Sequence, residues 1–237
     1  MKNEKYQKKK KKMQITLLFS EAHQISLDRE DVYRLLRQQS IKVPETFVVR
    51  AKAPLEGSIF RDLWSKYHTP LLIRPLTKTD EVPSKLVKLF SDLEKTIREY
   101  HAKGVDLHVL TYRKAPTLSV ALLPNFRNQS LYIPLWVETF NSNYDLPNAQ
   151  SPIRAHMQAP QDKKKDMREF ATKVYQALSL SGPACIDVIY YNNDYTVINV
   201  DASPSLRKDG RFMQALHTTG VDTGHYIHSY IQNELEK

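Results

Sequence analysis

The segment from Pro183 to Pro204 restricts the fold of this chain more than any other part of the sequence. Two apolar runs flank the turn residues 192–194, and their Asn-Asn-Asp sequence accepts the left-handed backbone conformation that tight turns require. The pattern therefore predicts a β-hairpin. If its loop has three residues, Asp187 lies directly opposite Asn199. Asp201 lies two residues further on and shares their face of the sheet, because side chains alternate along a strand.

The three side chains that this hairpin brings together all carry oxygen atoms. Mg²⁺ prefers carboxylate and amide oxygens, so Asp187, Asn199 and Asp201 form a candidate metal site. Two carboxylates this close together are electrostatically unfavourable without a cation. In the alternative interpretation, one aspartate ends a strand, the other caps a turn, and both face water. Spacing alone favours this alternative.

The rest of the chain alternates between helical and extended patterns, without repeats. Helices are predicted at residues 27–39, 57–66, 85–103, 163–180, 211–219 and 223–235. Strands are predicted at residues 14–19, 46–50, 70–74, 107–112, 117–123, 131–138, 184–191 and 195–201. The helix over 85–103 is the clearest, because its apolar residues recur at intervals of three and four.

Other local signals complete the prediction of fold class. Ser26 is the expected cap of the first helix, and residues 139–162, which are rich in Asn and Pro, have the composition of a loop. The mixture of βα units and consecutive strands predicts an α+β fold with two lobes. We expect a first lobe over 13–108, a second over 109–237, and a basic tail over 1–12.

Charge and cysteine content indicate the setting in which the chain works. The formal charge is +9, but residues 1–12 hold seven Lys and one Glu and carry most of it. Such a block repels itself and is expected to be disordered, which leaves nucleic-acid binding through the tail as a weaker hypothesis. No apolar run is long enough to span a bilayer, and no signal peptide is recognisable. Because the single cysteine, Cys185, fits a reducing compartment, we expect a cytoplasmic protein without membrane contact.

Five segments occur in an order that points to a known family. They are residues 28–49, 70–75 and 109–123, then Asp187 with Asn199-Val200-Asp201, then Ser203-Pro204-Ser205. Their order and spacing resemble the ATP-grasp enzymes, most closely the catalytic two-thirds of D-alanine–D-alanine ligase. The resemblance covers nearly the whole chain. It implies an ATP-grasp fold in which the nucleotide site lies between two α/β lobes.

The resemblance also implies which residues form the site. It gives seven nucleotide-binding positions, which are Arg29, Arg74, Leu110, Thr111, Tyr112, Arg113 and Thr117. The two arginines stand where the family has lysines that hold the ATP phosphates, and the backbone of residues 110–113 would take the adenine. Thr117 stands in the place of a ribose-binding Glu. The metal residues would be Asp187, Asn199 and Asp201, with Mg²⁺ or Mn²⁺ as the ion.

Several positions depart from the family pattern. Arginine keeps the charge of both phosphate lysines but replaces a compact ammonium with a planar fork. Residues 76–81 stand where the family has a Gly-rich lid, and they contain no glycine and two acids. Cys185 replaces the arginine that stabilises the tetrahedral intermediate, and Gly210 replaces a substrate-binding Ser. The N-terminal domain that completes the substrate site of the family is expected to be missing.

Two functional hypotheses follow from these patterns. The first is an ATP-dependent carboxylate–amine ligase that acts through an acyl phosphate, with ATP and a small amino-acid-like substrate as its ligands. The second is a catalytically degenerate scaffold that serves as a nucleotide-binding or protein-interaction module. We expect either a homodimer or a partner chain that supplies the missing domain.

Overall fold

The computed structural model describes residues 28–67, 70–77, 82–139, 153–155 and 160–235. The helices of these segments are α1 (Arg29–Gln38), α2 (Gly57–Tyr67), α3 (Phe90–Ala102), α4 (Gln161–Ala177), α5 (Arg211–His217) and α6 (Thr223–Leu235). The strands are β1 (Thr46–Val49), β2 (Leu71–Pro75), β3 (Lys85–Val87), β4 (Leu107–Thr111), β5 (Thr117–Phe126), β6 (Gln129–Tyr132), β7 (Val137–Thr139), β8 (Ile153–Ala155), β9 (Ala184–Tyr191) and β10 (Asp194–Asp201). No helix in these segments has the length and apolar character that crossing a bilayer requires.

The strands form two antiparallel sheets. The smaller sheet has the order β1-β4-β2-β3, and the larger has the order β10-β9-β5-β7-β8, with β6 paired to β5. Residues 112–116 are the hinge that leads from the last strand of the smaller sheet into the first strand of the larger one. Because all described strand pairs are antiparallel and helices cover the sheets, the predicted α+β class is confirmed.

Each sheet has a core of its own, and the larger sheet has one on either face. Helices α2 and α3 cover one face of the smaller sheet, with Phe60, Leu63, Leu93 and Ile97 in the core. Helices α1 and α4 cover one face of the larger sheet, with Leu36, Val120, Met167, Val174 and Ile186 in the core. Helices α5 and α6 cover part of its opposite face. The smaller sheet packs against the remaining part of that face.

The two sheets meet in a small apolar cluster, which we call the central cluster. It consists of Leu72, Leu110, Ile189 and Ile198, and every member is buried. The chain also crosses between the sheets near Lys42, whose carbonyl accepts a hydrogen bond from the Val197 amide of β10. Apolar contact and a backbone hydrogen bond therefore join the two halves next to the hinge.

Several local predictions were wrong in detail. The helix expected over 85–103 is a short strand, β3, followed by α3, and Leu89 between them is 60% exposed. Backbone pairing of β3 with β2 decided this outcome, since tertiary contacts override a local periodicity. The strand expected over 131–138 is divided at Pro134, which has no N–H to donate. The loop expected over 139–162 contains β8, which pairs with β7.

The first helix begins differently from the prediction as well. Asp28, and not Ser26, caps α1, because its carboxylate accepts hydrogen bonds from the amides of Glu30 and Asp31. Ser26, the strand predicted at 14–19 and the tail 1–12 lie outside the described residues.

Candidate functional site

One face of the larger sheet carries the three predicted metal residues. Along β9, side chains alternate between the two faces of the sheet. Ala184, Ile186 and Val188 face the core under α1 and α4, so Cys185, Asp187, Ile189 and Tyr191 share the opposite face. Cys185 packs in the core under α5 and α6, whereas Ile189 belongs to the central cluster. Asp187 thus lies between the C-terminal helices and the smaller sheet.

The predicted pairing of Asp187 with Asn199 is present, although the hairpin achieves it differently. The turn has two residues, Asn192 and Asn193, and both have positive φ (49° and 59°). A regular two-residue hairpin would place Ile198 opposite Asp187. A β-bulge between Val197 and Asn199 adds one residue and restores the pairing. As a result, Ile198 enters the central cluster while its neighbour Asn199 reaches Asp187.

Protein groups occupy both oxygens of the Asp187 carboxylate, which is only 2% exposed. Ser119 on β5 donates its hydroxyl to Oδ1 over 2.7 Å, and Asn199 donates its amide to Oδ2 over 3.2 Å. Arg211, the first residue of α5, forms a close ion pair with Oδ2. Burial opposes the charge of Arg211, but Asp187 beside it raises the pKa of the guanidinium. The buried carboxylate is therefore neutralised within the protein.

This arrangement does not fit a divalent metal ion on Asp187. The guanidinium of Arg211 already holds the oxygen that a metal would need, and Asn199 turns a donor toward the same atom. Asp201 accepts a hydrogen bond from the Ser203 amide over 3.1 Å, so it also caps the turn after β10. In the part of the chain that the structure describes, no group of three or more His, Cys, Asp and Glu side chains is arranged to hold a metal.

The two predicted phosphate arginines are engaged with the protein itself. Arg74 on β2 is fully buried, and its Nη2 donates to the Tyr33 hydroxyl over 3.0 Å. That hydroxyl in turn donates to the Ile198 carbonyl over 2.7 Å, which ties α1 to β10. Arg29 donates from Nη1 to the Pro75 carbonyl over 2.6 Å. Arg29 therefore joins α1 to the smaller sheet, and Arg74 joins the smaller sheet to α1 and, through Tyr33, to the larger sheet.

A second polar cluster beside Arg74 was not expected from the sequence. Glu30 accepts hydrogen bonds from His108, Arg37 and Thr46. Burial raises the pKa of Glu30, but these hydrogen bonds outweigh it and bring the pKa down to about 2. Burial lowers the pKa of His108 despite its contact with Glu30, so the imidazole is neutral near pH 7. The only available signal was the acidic first turn of α1, which says nothing about the partner.

Three of the four residues predicted to take the adenine line a cavity of about 560 Å³ beside the hinge. Thr111, Tyr112 and Arg113 form its hinge side, and Tyr67 and Tyr191 contribute two more aromatic rings. The Arg113 guanidinium lies 4.9 Å from the centre of the Tyr191 ring, and Tyr191 is 45% exposed. The cavity also includes Lys42, which is ion-paired with Asp194, and Lys66. We call this the hinge cavity.

The other predicted nucleotide residues lie outside the hinge cavity. Leu110 is buried in the central cluster, and Thr117 is buried on β5, where it pairs with Ile189. The hinge cavity and the hydrogen-bond network of Asp187 lie at different positions along β9. Asp187 and Tyr191 are four residues apart, which is roughly 13 Å of strand.

Two residues of the Asp187 network were missed from the sequence. Ser119 could be found only from the pairing of β5 with β9, which places it opposite Asp187. Arg211 follows Gly210, which the resemblance marks only as the replacement of a substrate-binding Ser. Cys185 is buried, and burial raises the pKa of its thiol well above the usual range. The thiol is therefore protonated and unreactive.

Comparison with known proteins identifies the family. The family model for the D-ala D-ala ligase C-terminus matches residues 35–232, so the chain belongs to this family. Its relatives include the D-alanine–D-alanine ligase of Francisella philomiragia, with 21% identity over 69% of this chain and 54% of the relative. The corresponding ligase of Francisella tularensis subsp. novicida is also 21% identical, over 69% of this chain and 55% of the relative.

Solved structures agree with this assignment at the level of the fold. D-alanine–D-alanine ligase from Bacillus anthracis in complex with ATP superposes with a TM-score of 0.71 and 14% identity over 88% of this chain and 66% of that one. The ligase from Coxiella burnetii gives a TM-score of 0.70 and 16% identity over 88% of this chain and 57% of that one. The chain therefore has the ATP-grasp fold. It spans about half the length of the curated relatives it matches.

Proposed function

We propose that this chain is an ATP-grasp module that binds an adenine nucleotide at the hinge between its two sheets. The observation that carries the proposal is the hinge cavity, because Thr111, Tyr112 and Arg113 line it together. The resemblance to the family independently assigns the adenine to this same segment of the chain. A volume of about 560 Å³ suits a ligand of nucleotide size.

The chemistry of the hinge cavity supports this ligand class. Aromatic side chains stack on nucleobases, and both Tyr112 and Tyr191 line the cavity. Lys66 and Arg113 add positive charge, which favours phosphate groups. The two sheets on either side would be the two lobes, 13–108 and 109–237, with β4 crossing the boundary between them.

A second candidate is the ligase reaction itself, which the family match over residues 35–232 favours. In that reaction the γ-phosphoryl group of ATP passes to a carboxylate oxygen, leaving ADP and an acyl phosphate. An amine nitrogen then bonds to the carbonyl carbon, phosphate leaves, and the amine loses a proton. The substrate would be small and amino-acid-like. Arg29 and Arg74 would have to leave their present partners to reach the phosphates.

Thermal unfolding with ATP in EDTA tests the proposed binding. We expect ATP to raise the melting temperature of the wild type, and Arg113→Ala to weaken the apparent affinity about tenfold, as the loss of a hydrogen bond to a charged group does. Arg127→Ala is the matched control, because its guanidinium also lies over a tyrosine ring, that of Tyr132, away from the hinge cavity. No shift at millimolar ATP, or the same loss in both variants, would refute binding at this cavity.

Phosphate release with D-alanine and ATP distinguishes the two candidates. Release that requires D-alanine and disappears in Asp201→Ala would support the ligase reaction, because simple hydrolysis of ATP does not need the amino acid. Stabilisation by ATP without phosphate release, in wild type and variant alike, would leave nucleotide binding as the function of the module.

A further inference from the structure

We propose that Arg211 is a built-in cation that takes the place of a divalent metal ion on Asp187. The negative charge of the Asp187 carboxylate is balanced by the positive charge of Arg211. Asp187 is almost completely buried, and its ion pair with Arg211 is the contact that supplies a positive charge to it. A buried carboxylate without such a partner is strongly unfavourable.

The number of donors on Asp187 supports the proposal. A carboxylate offers about four lone-pair positions, and Ser119, Asn199 and Arg211 donate to three of them. Mg²⁺ requires close, nearly octahedral contact with its oxygen ligands. The guanidinium excludes such an ion from Oδ2 by its volume and repels it by its charge.

The fold holds Arg211 in position. Its side chain is only 20% exposed, and the next residues of α5, Phe212 and Met213, are anchored in the core under α5 and α6. The turn before the helix is tight at Gly210, where an added Cβ would lie 3.1 Å from two backbone carbonyl oxygens. The guanidinium is therefore placed by the packing of α5, and it does not depend on a flexible loop.

The consequence for function rests on the proposed function. If an adenine nucleotide binds between the sheets, it binds without a divalent ion that bridges it to Asp187. Binding of a divalent ion to the protein can be measured without any nucleotide, so it can be tested separately.

Titration with Mn²⁺, followed by the EPR signal of the free ion, tests the proposal on the full chain. We expect the wild type to leave the signal unchanged and Arg211→Ala to reduce it, since the variant exposes the carboxylates of Asp187 and Asp201. The reduction should be lost in Arg211→Ala/Asp187→Asn. Arg207→Ala is the matched control, because it removes an arginine from an exposed ion pair with Asp209. This variant should leave the signal of free Mn²⁺ unchanged.

If Arg211→Ala does not fold, Arg211→Lys provides a variant that keeps the positive charge. Like the wild type, it should leave the signal of free Mn²⁺ unchanged. Mn²⁺ binding by the wild type that disappears in Asp187→Asn would overturn the proposal. An Arg211→Ala protein that folds and binds no more Mn²⁺ than the wild type would also overturn it. Neither result depends on ATP, so failure of nucleotide binding in EDTA is a separate outcome.

Discussion

The half-buried carboxylate of Glu30 has three protein partners, and this cluster shows the effect of such contacts on acid stability. Its carboxylate has a pKa of about 2, compared with an ordinary value of 4.5. The folded state therefore favours the charged form. The resulting stability is fully present above pH 4.5 and is lost as the pH falls through about 2, because the unfolded chain takes up the proton first.

Glu30→Gln tests this linkage. The variant should have a lower free energy of unfolding than the wild type at neutral pH, and the difference should shrink as the pH falls from about 4.5 towards 2. Urea unfolding at a series of pH values measures it. Glu169→Gln, at an exposed position on α4, is the control and should change little. A difference for Glu30→Gln that stays constant over this range would show that the carboxylate is not responsible.

Helix α1 links the two halves of the molecule, and its first turn depends on one side chain. Asp28 accepts hydrogen bonds from two amides that have no partner within the helix. The helix then carries Tyr33 to Ile198 on the larger sheet, and Glu30 to His108 on the smaller one.

The cap predicts the effect of two substitutions at Asp28. Asp28→Ala should lower the free energy of unfolding by about 1 kcal/mol, whereas Asp28→Asn should have a much smaller effect because asparagine also caps helices. Urea unfolding of both variants at neutral pH gives the comparison. Equal losses in the two variants would indicate that the charge, and not the cap, is what matters.

Only part of the strand pairing could be predicted from the sequence. The pairing of Asp187 with Asn199 could be predicted, because polar turn residues and alternating apolar residues locate the hairpin. The bulge at Ile198 could not, because it depends on the contact of Ile198 with the smaller sheet. Strand β3 was likewise mispredicted, because its local sequence has the apolar spacing of a helix. Its strand pairing with β2 is a long-range contact that no local window contains.

At the scale of the whole molecule, family membership and fold are better determined than the site. The order of segments along the chain predicted the ATP-grasp fold, and the family match and structural comparisons confirm it. The partners of the charged residues were not predictable. Arg211 and Ser119 reach Asp187 only through the packing of α5 and the pairing of β5 with β9. The metal and phosphate residues therefore remain predictions, and Arg211 changes what is expected of them.

Calorimetric titration of the full chain with ATP, first in EDTA and then with Mg²⁺, tests the central claim most directly. If the hinge cavity is the nucleotide site and Arg211 supplies the positive charge on Asp187, ATP should bind saturably in EDTA, and its dissociation constant should not change after Mg²⁺ is added. Asp187→Asn should leave the dependence on Mg²⁺ unchanged. Binding that appears only with Mg²⁺ and is lost in Asp187→Asn would contradict the account.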